Sequence, residues 1–200
     1  TIISIEESLR LLNSCKVLQY DSETSGRNAR ICDILCIQFG NKKADFQIVV
    51  DIKTVNILLY KEILETKLII GQNLKFDLQF LYNYKIIPTD VYDTMIVEQL
   101  LYLGYPPGQI SFALNAIAER RLGVNIDKSV RGEIIWRGLD TSVILYAAGD
   151  VTYLEDIMEK QIEVNGVMIE LTDDQIKKVL EQTNIKDTKE LVKQEILEML

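Results

Sequence analysis

The sequence predicts a mixed α/β domain: an antiparallel three-strand meander, then parallel strands alternating with helices that flank the sheet, then a small helical extension at the C-terminal end. Three observations lead there. The first strand-like runs follow one another across polar or Gly-containing turns, which makes a meander the economical arrangement. From about residue 67 short apolar runs alternate with segments of helical period. The 200 residues are 48% hydrophobic, enough for one sizeable core with a small appendage.

The elements follow in order. Ser4 is a plausible N-cap for a short helix to about Asn13, with Glu6 and Glu7 in its first turn. Lys16 to Tyr20 reads as a strand that ends at Asp21-Ser-Glu23, with a Ser-Gly turn beyond. Ile31 to Phe39 and Phe46 to Val50 complete the meander, and Thr54 to Glu65 reads as a helix. Lys67 to Gly71 is a short apolar run bounded by Gly, suited to a buried parallel strand. Asn73 caps a helix from Leu74 to Tyr84, and Thr89 to Tyr92 is another short strand. Thr94 to Leu103 is helical and stops at the breaker Gly104-Tyr-Pro-Pro-Gly108. Ser111 caps a helix reaching about Leu122, a polar loop leads to Trp136, and Thr141 opens a helix to about Lys160. In the tail, Thr172 to Leu180 and Asp187 to Leu200 are amphipathic and rich in Glu and Lys. The expected division is therefore a core over residues 1–160 and a helical extension over 161–200.

Composition excludes several chemistries. There is no histidine, so no Ser-His-Asp triad, Cys-His pair, His-ligated zinc or histidine base exists in this chain. Catalysis has to rest on carboxylates, Tyr, Lys, Ser or metal. Cys15, Cys32 and Cys36 are odd in number and have apolar neighbours, which reads as reduced thiols in a cytosol-like compartment. The net charge of −8 argues against nucleic acid at face value, although bound divalent cations reverse the local sign. No apolar run is long enough to suggest a membrane span. The chain opens on Thr1, which reads as a piece of a longer protein or a processed one.

Three acidic motifs stand out. In a strand Asp21 and Glu23 share one face, and two adjacent carboxylates favour a hard cation between them; an acidic turn after an edge strand is the plainer alternative. Asp77 sits one turn inside a helix that follows a strand, where it either pairs or favours the helix N-terminus. Tyr146 and Asp150 are four apart on one helix face, with Ala147, Ala148 and Gly149 between them leaving room for a large object to approach. Taken singly, the pair also reads as a packed Tyr beside an exposed Asp.

In this order the motifs YDSETSG, GQNLKFDLQFL and YAAGDVTYL resemble the DEDDy branch of the DnaQ-like 3′–5′ exonucleases, from about Cys15 to Lys160. Tyr92-Asp93-Thr94-Met95 and Asp127-Lys128-Ser129 with Trp136 and Leu139 match as well. The nearest look is the proofreading domain of family A (DNA polymerase I-type) polymerases, with RNase D and Werner-type enzymes next. Leu145 stands where the sister branch carries its histidine.

The resemblance implies a ribonuclease H-like sheet and two divalent cations, Mg²⁺ or Mn²⁺, about 4 Å apart. It implies Asp21, Glu23, Asp77 and Asp150 as metal ligands, with Tyr146 orienting the attacking water. Thr24 and Asn73 would hold the terminal nucleotide. Lys128 and Arg131 cluster with Arg120, Arg121 and Arg137 in one basic segment, which reads either as a phosphate contact outside the metal site or as a solvated loop. Trp136 either stacks a base or fills the core. The family keeps Asp93 without making it a ligand. The implied activity is release of nucleoside 5′-monophosphates from a single-stranded DNA 3′ end, proofreading for a polymerase domain in the same or a partner chain. RNA 3′-end trimming and a non-catalytic nucleic-acid-binding or polymerase-docking module are the alternatives. No membrane partner is expected. The implied location is the cytoplasm or a nucleoid or replication-associated compartment, an organelle or phage-infected cell remaining open.

Overall fold

The computed structural model describes residues 2–43, 45–106, 108–126 and 138–168. Its centre is a five-stranded sheet in the order β3-β2-β1-β4-β5. The strands are β1 (Val17–Thr24), β2 (Ile34–Asn41), β3 (Phe46–Asp51), β4 (Leu68–Gly71) and β5 (Val91–Asp93). β1, β2 and β3 pair antiparallel, and β4 and β5 add in parallel on the other side of β1. The meander followed by parallel strands is thus present. β1, however, runs on through the acidic motif to Thr24, so both carboxylates lie within the ladder, opposite Gln38 and Cys36.

The pleat sorts the two faces. Leu18 and Tyr20 of β1, Ile37 and Phe39 of β2, and Ile48 and Val50 of β3 enter the larger core with Leu12, Tyr60, Leu64, Phe80 and Leu81. These last come from α1 (Ile5–Ser14), a 3₁₀ turn (Ile57–Tyr60), α2 (Lys61–Thr66) and α3 (Leu74–Asn83). The opposite face is more polar, carrying Gln19, Asp21 and Glu23 beside Cys36 and Gln38. Over it lie α6 (Thr141–Asp150) and α7 (Leu154–Met168). Ile70 of β4 packs there with Leu114, Ile117, Val151, Leu154 and Ile157, drawing in α5 (Leu114–Leu122).

Three expected helices differ. The Thr54 to Glu65 stretch forms the 3₁₀ turn and the short α2, because Asn56 caps at Leu58 N and starts the turn late. The expected helix from Thr141 to Lys160 is two. Thr152 donates its N–H to the Gly149 carbonyl and its hydroxyl to the Ala148 carbonyl, closing a turn that ends α6 at Asp150. Asp150 therefore stands at a helix end that projects to the sheet's acidic strand. The helix expected from Ser111 starts at Leu114. The tail helices expected after residue 171 lie outside the described residues.

At the β4–α3 junction close approach requires glycine. A Cβ on Gly71 would sit 2.3 Å from Leu74 Cδ2 and 3.0 Å from the Tyr20 carbonyl oxygen. Asn73 then turns in the left-handed region, at φ 60° and ψ 43°. Asp93, at the N-cap of α4 (Thr94–Leu101), accepts from the amides of Asn73 and Leu74 and also from those of Met95 and Ile96. One buried carboxylate thus caps two helices.

Candidate active site

The structure brings Asp21, Glu23 and Asp150 together. One carboxylate oxygen from each lies within 4.8 Å of the others, and all three residues are half-buried. β1 supplies two by its period of two, and the end of α6 supplies the third. Burial, followed by the negative charges of Asp77, Asp150 and Glu23, pushes the Asp21 carboxyl well above the usual carboxylate range.

Asp77 is not one of that trio. It is 3% exposed on α3, and it accepts a hydrogen bond from Ser22 Oγ at 2.5 Å. Ser22 faces the layer opposite Asp21 and Glu23, so Asp77 reaches β1 from the other side of the strand. Burial raises its carboxyl to about 7, with the Ser22 hydrogen bond pulling the other way. Among its neighbours' charges, that of Asp77 bears most on Asp21.

The other expected site residues fall as follows. Tyr146 is half-buried on α6, one turn before Asp150. Thr24 closes β1 at a register shift, and its hydroxyl donates to the Gly26 carbonyl at 2.8 Å. Asn73 is exposed, and its side chain makes no cap bond because Asp93 holds the backbone there. Lys128 and Arg131, with Trp136 and Arg137, lie outside the described residues. Arg120 and Arg121 are corrected: both pair with Glu98, a fully buried side chain of α4, at 2.9 and 3.0 Å. Both also lie over the Tyr102 ring, and Gln161 Nε2 adds a bond to Glu98 at 2.8 Å. The two arginines therefore join α4, α5 and α7 and are not held out for phosphate.

Sequence reasoning passed over Ser22, Asp93 as a double cap, and Gln38. The first had a signal, standing between the two acids. The second had one in the Asp-Thr start of a helix. Gln38 sits in an apolar run and becomes notable only once pairing sets it opposite Asp21.

The residues present suit a divalent cation. The donors are all carboxylate oxygens, and they crowd on a half-buried face of β1 where negative charge already disfavours ionisation. Gln38 adds a buried side-chain oxygen, Oε1, with no hydrogen-bond partner among the described residues. No described helix is long and apolar enough to cross a membrane.

Comparison with known proteins accords with this arrangement. A family model described as 3′–5′ exonuclease matches residues 1–163. DNA polymerase I of Aquifex aeolicus is 31% identical over 159 residues, covering 78% of this chain and 25% of that protein. Ribonuclease D of Bartonella henselae is 33% identical over 94 residues, covering 44% of this chain and 22% of that one. The chain thus spans about a quarter of the length of the curated relatives it matches. The structure of Escherichia coli RNase D, an exoribonuclease, superposes with a TM-score of 0.68 at 20% identity, over 91% of this chain and 48% of that chain. That likeness shows a shared ribonuclease H-like fold, a mixed sheet flanked by helices. By the match across residues 1–163, this chain belongs to the DnaQ-like 3′–5′ exonuclease family.

Proposed function

We propose that the protein hydrolyses the terminal phosphodiester at a single-stranded DNA 3′ end and releases nucleoside 5′-monophosphates, proofreading for a polymerase domain in the same or a partner chain. The observation that carries this is the convergence of one carboxylate oxygen each from Asp21, Glu23 and Asp150 within 4.8 Å. These three would hold one divalent cation, Mg²⁺ or Mn²⁺, and Asp77 with Asp21 would serve a second. Bound cations supply an activated water and stabilise the departing 3′ oxygen. Tyr146, one turn from Asp150, orients the water by its hydroxyl. Thr24 and the amide side chain of Asn73 hold the terminal nucleotide. Lys128 and Arg131 are assigned to phosphates upstream.

The surface supports a polyanionic substrate despite the overall charge. Arg27 and Arg30, on the loop directly after Thr24, and Lys75 at the start of α3 are exposed and form no ion pair among the described residues. The loop is pinned to α3 by Asn83, which donates to the Ala29 carbonyl at 2.6 Å. The implied location is the cytoplasm or a nucleoid or replication-associated compartment.

The DNA polymerase I relative, matched over most of this chain, favours DNA. The ribonuclease D relative favours RNA trimming as the second reading. End-labelled single-stranded DNA and RNA of one sequence, incubated with Mg²⁺, decide between them. Mononucleotide release from DNA that disappears in Asp21→Ala is the expected result. Release from RNA alone replaces proofreading by RNA trimming, and release from neither leaves a binding or docking module.

A further inference from the structure

Resting on the cation reading of the same site, we propose that Gln38 is a positioning residue of the metal centre, its Oε1 accepting a hydrogen bond from a water on the cation held by Asp21, Glu23 and Asp150.

Register and burial carry this. The Cα of Gln38 pairs with that of Asp21, and the Cα of Cys36 pairs with that of Glu23, so all four side chains leave the sheet on one face. Gln38 Nε2 donates to Cys36 Sγ at 3.2 Å, which leans the amide along the strand toward the Glu23 position. The amide thus shares the sheet face of both carboxylates of β1. It is fully buried, and the sulfur it rests on feels Glu23 and Asp21 as its strongest charged neighbours.

The other end of the amide is the anomaly. Oε1 is buried and accepts from no donor among the described residues. A buried acceptor left unmet is destabilising, and an apolar side chain of similar size would avoid that. With a cation bound the carboxylates are ionised and only accept, so they cannot satisfy it. A cation-bound water can: it donates two hydrogen bonds, one available to a carboxylate and one to this oxygen. Outer groups of this kind typically change metal affinity 10–100-fold.

The test uses the whole chain stripped of metal and titrated with Mn²⁺ alone, with free Mn²⁺ followed by electron paramagnetic resonance. Gln38→Leu is expected to weaken Mn²⁺ binding about tenfold or more. Its metal-free melting temperature should stay level or rise, because an unmet acceptor is gone. Gln38→Glu, which keeps an oxygen at that end, is expected to bind Mn²⁺ at least as tightly as wild type. Wild-type Mn²⁺ affinity in Gln38→Leu overturns the inference. Should Gln38→Leu lower the metal-free melting temperature, Gln38→Glu decides: retained Mn²⁺ affinity upholds the role, and affinity lost alike in both variants overturns it. Absence of Mn²⁺ binding by the wild type would instead bring down the cation reading itself.

Discussion

Ser22 Oγ donates to Asp77 Oδ1 at 2.5 Å, tying the strand that carries Asp21 and Glu23 to helix α3 on the opposite layer. The bond favours the charged form of a carboxyl that burial raises to about 7. Ser22→Ala removes it and pushes Asp77 higher still. The acid limb of the pH–rate profile should move to higher pH, with activity at pH 7 down several-fold and restored toward pH 9. Stability should fall by about 1–2 kcal/mol, read by urea denaturation.

Metal and pH should act on stability together. The folded-state pKa of Asp77, about 7, lies above its ordinary value, and Asp21 shifts in the same direction. The folded state therefore binds these protons more tightly than the unfolded chain. For Asp77 the stabilisation is complete below about pH 4 and is lost as pH rises through about 7, and Asp21 acts in the same sense. Metal-free protein should melt at lower temperature at pH 8 than at pH 6. Mn²⁺ at about a hundred times its dissociation constant should add roughly 2.7 kcal/mol at pH 8, and less at pH 5, where protons compete. Calorimetry in chelator and in Mn²⁺ reads both.

Asp21→Asn separates stability from activity. It relieves a carboxyl crowded by Asp77, Asp150 and Glu23. The metal-free melting temperature should rise by a few degrees while mononucleotide release falls at least a hundredfold. A fall in both would show that Asp21 supports the fold in its charged form.

Asp93 holds the amides of Asn73, Leu74, Met95 and Ile96. Asp93→Ala should cost roughly 2–4 kcal/mol, at about 1–2 per cap. Below the melting transition KM should rise more than kcat falls, because Asn73 loses the anchor that sets its left-handed turn.

Glu98 is buried between Arg120 and Arg121. Glu98→Gln leaves two partly buried guanidiniums short of their counter-charge and should cost about 3–5 kcal/mol in urea denaturation.

Arg27→Glu with Arg30→Glu should raise KM for a single-stranded oligonucleotide with little change in kcat. It should also flatten the salt dependence of binding, by about one unit of slope for each phosphate that the loop no longer holds.

Much of the site was legible in the chain itself. Asp21 and Glu23 fall on one face because strand side chains alternate, and Tyr146 and Asp150 share a face because a helix turns in under four residues. Both are local rules, so spacing alone carried them. The meander and the parallel strands followed from the same kind of periodicity. Arg120 and Arg121 show the limit. Adjacent cations read as a phosphate contact until α4 delivers Glu98 from more than twenty positions earlier.

Sequence alone determined which residue types were available, in a chain without histidine, and on which face of each element they lie. Tertiary structure decided which of them meet. It joined the end of α6 to β1, kept Asp77 across the strand on Ser22, and set Gln38 beside the acids. The physical reason is that dihedral preferences and side-chain period act over a few residues, whereas burial, charge crowding and an unmet hydrogen bond arise only when distant segments pack together.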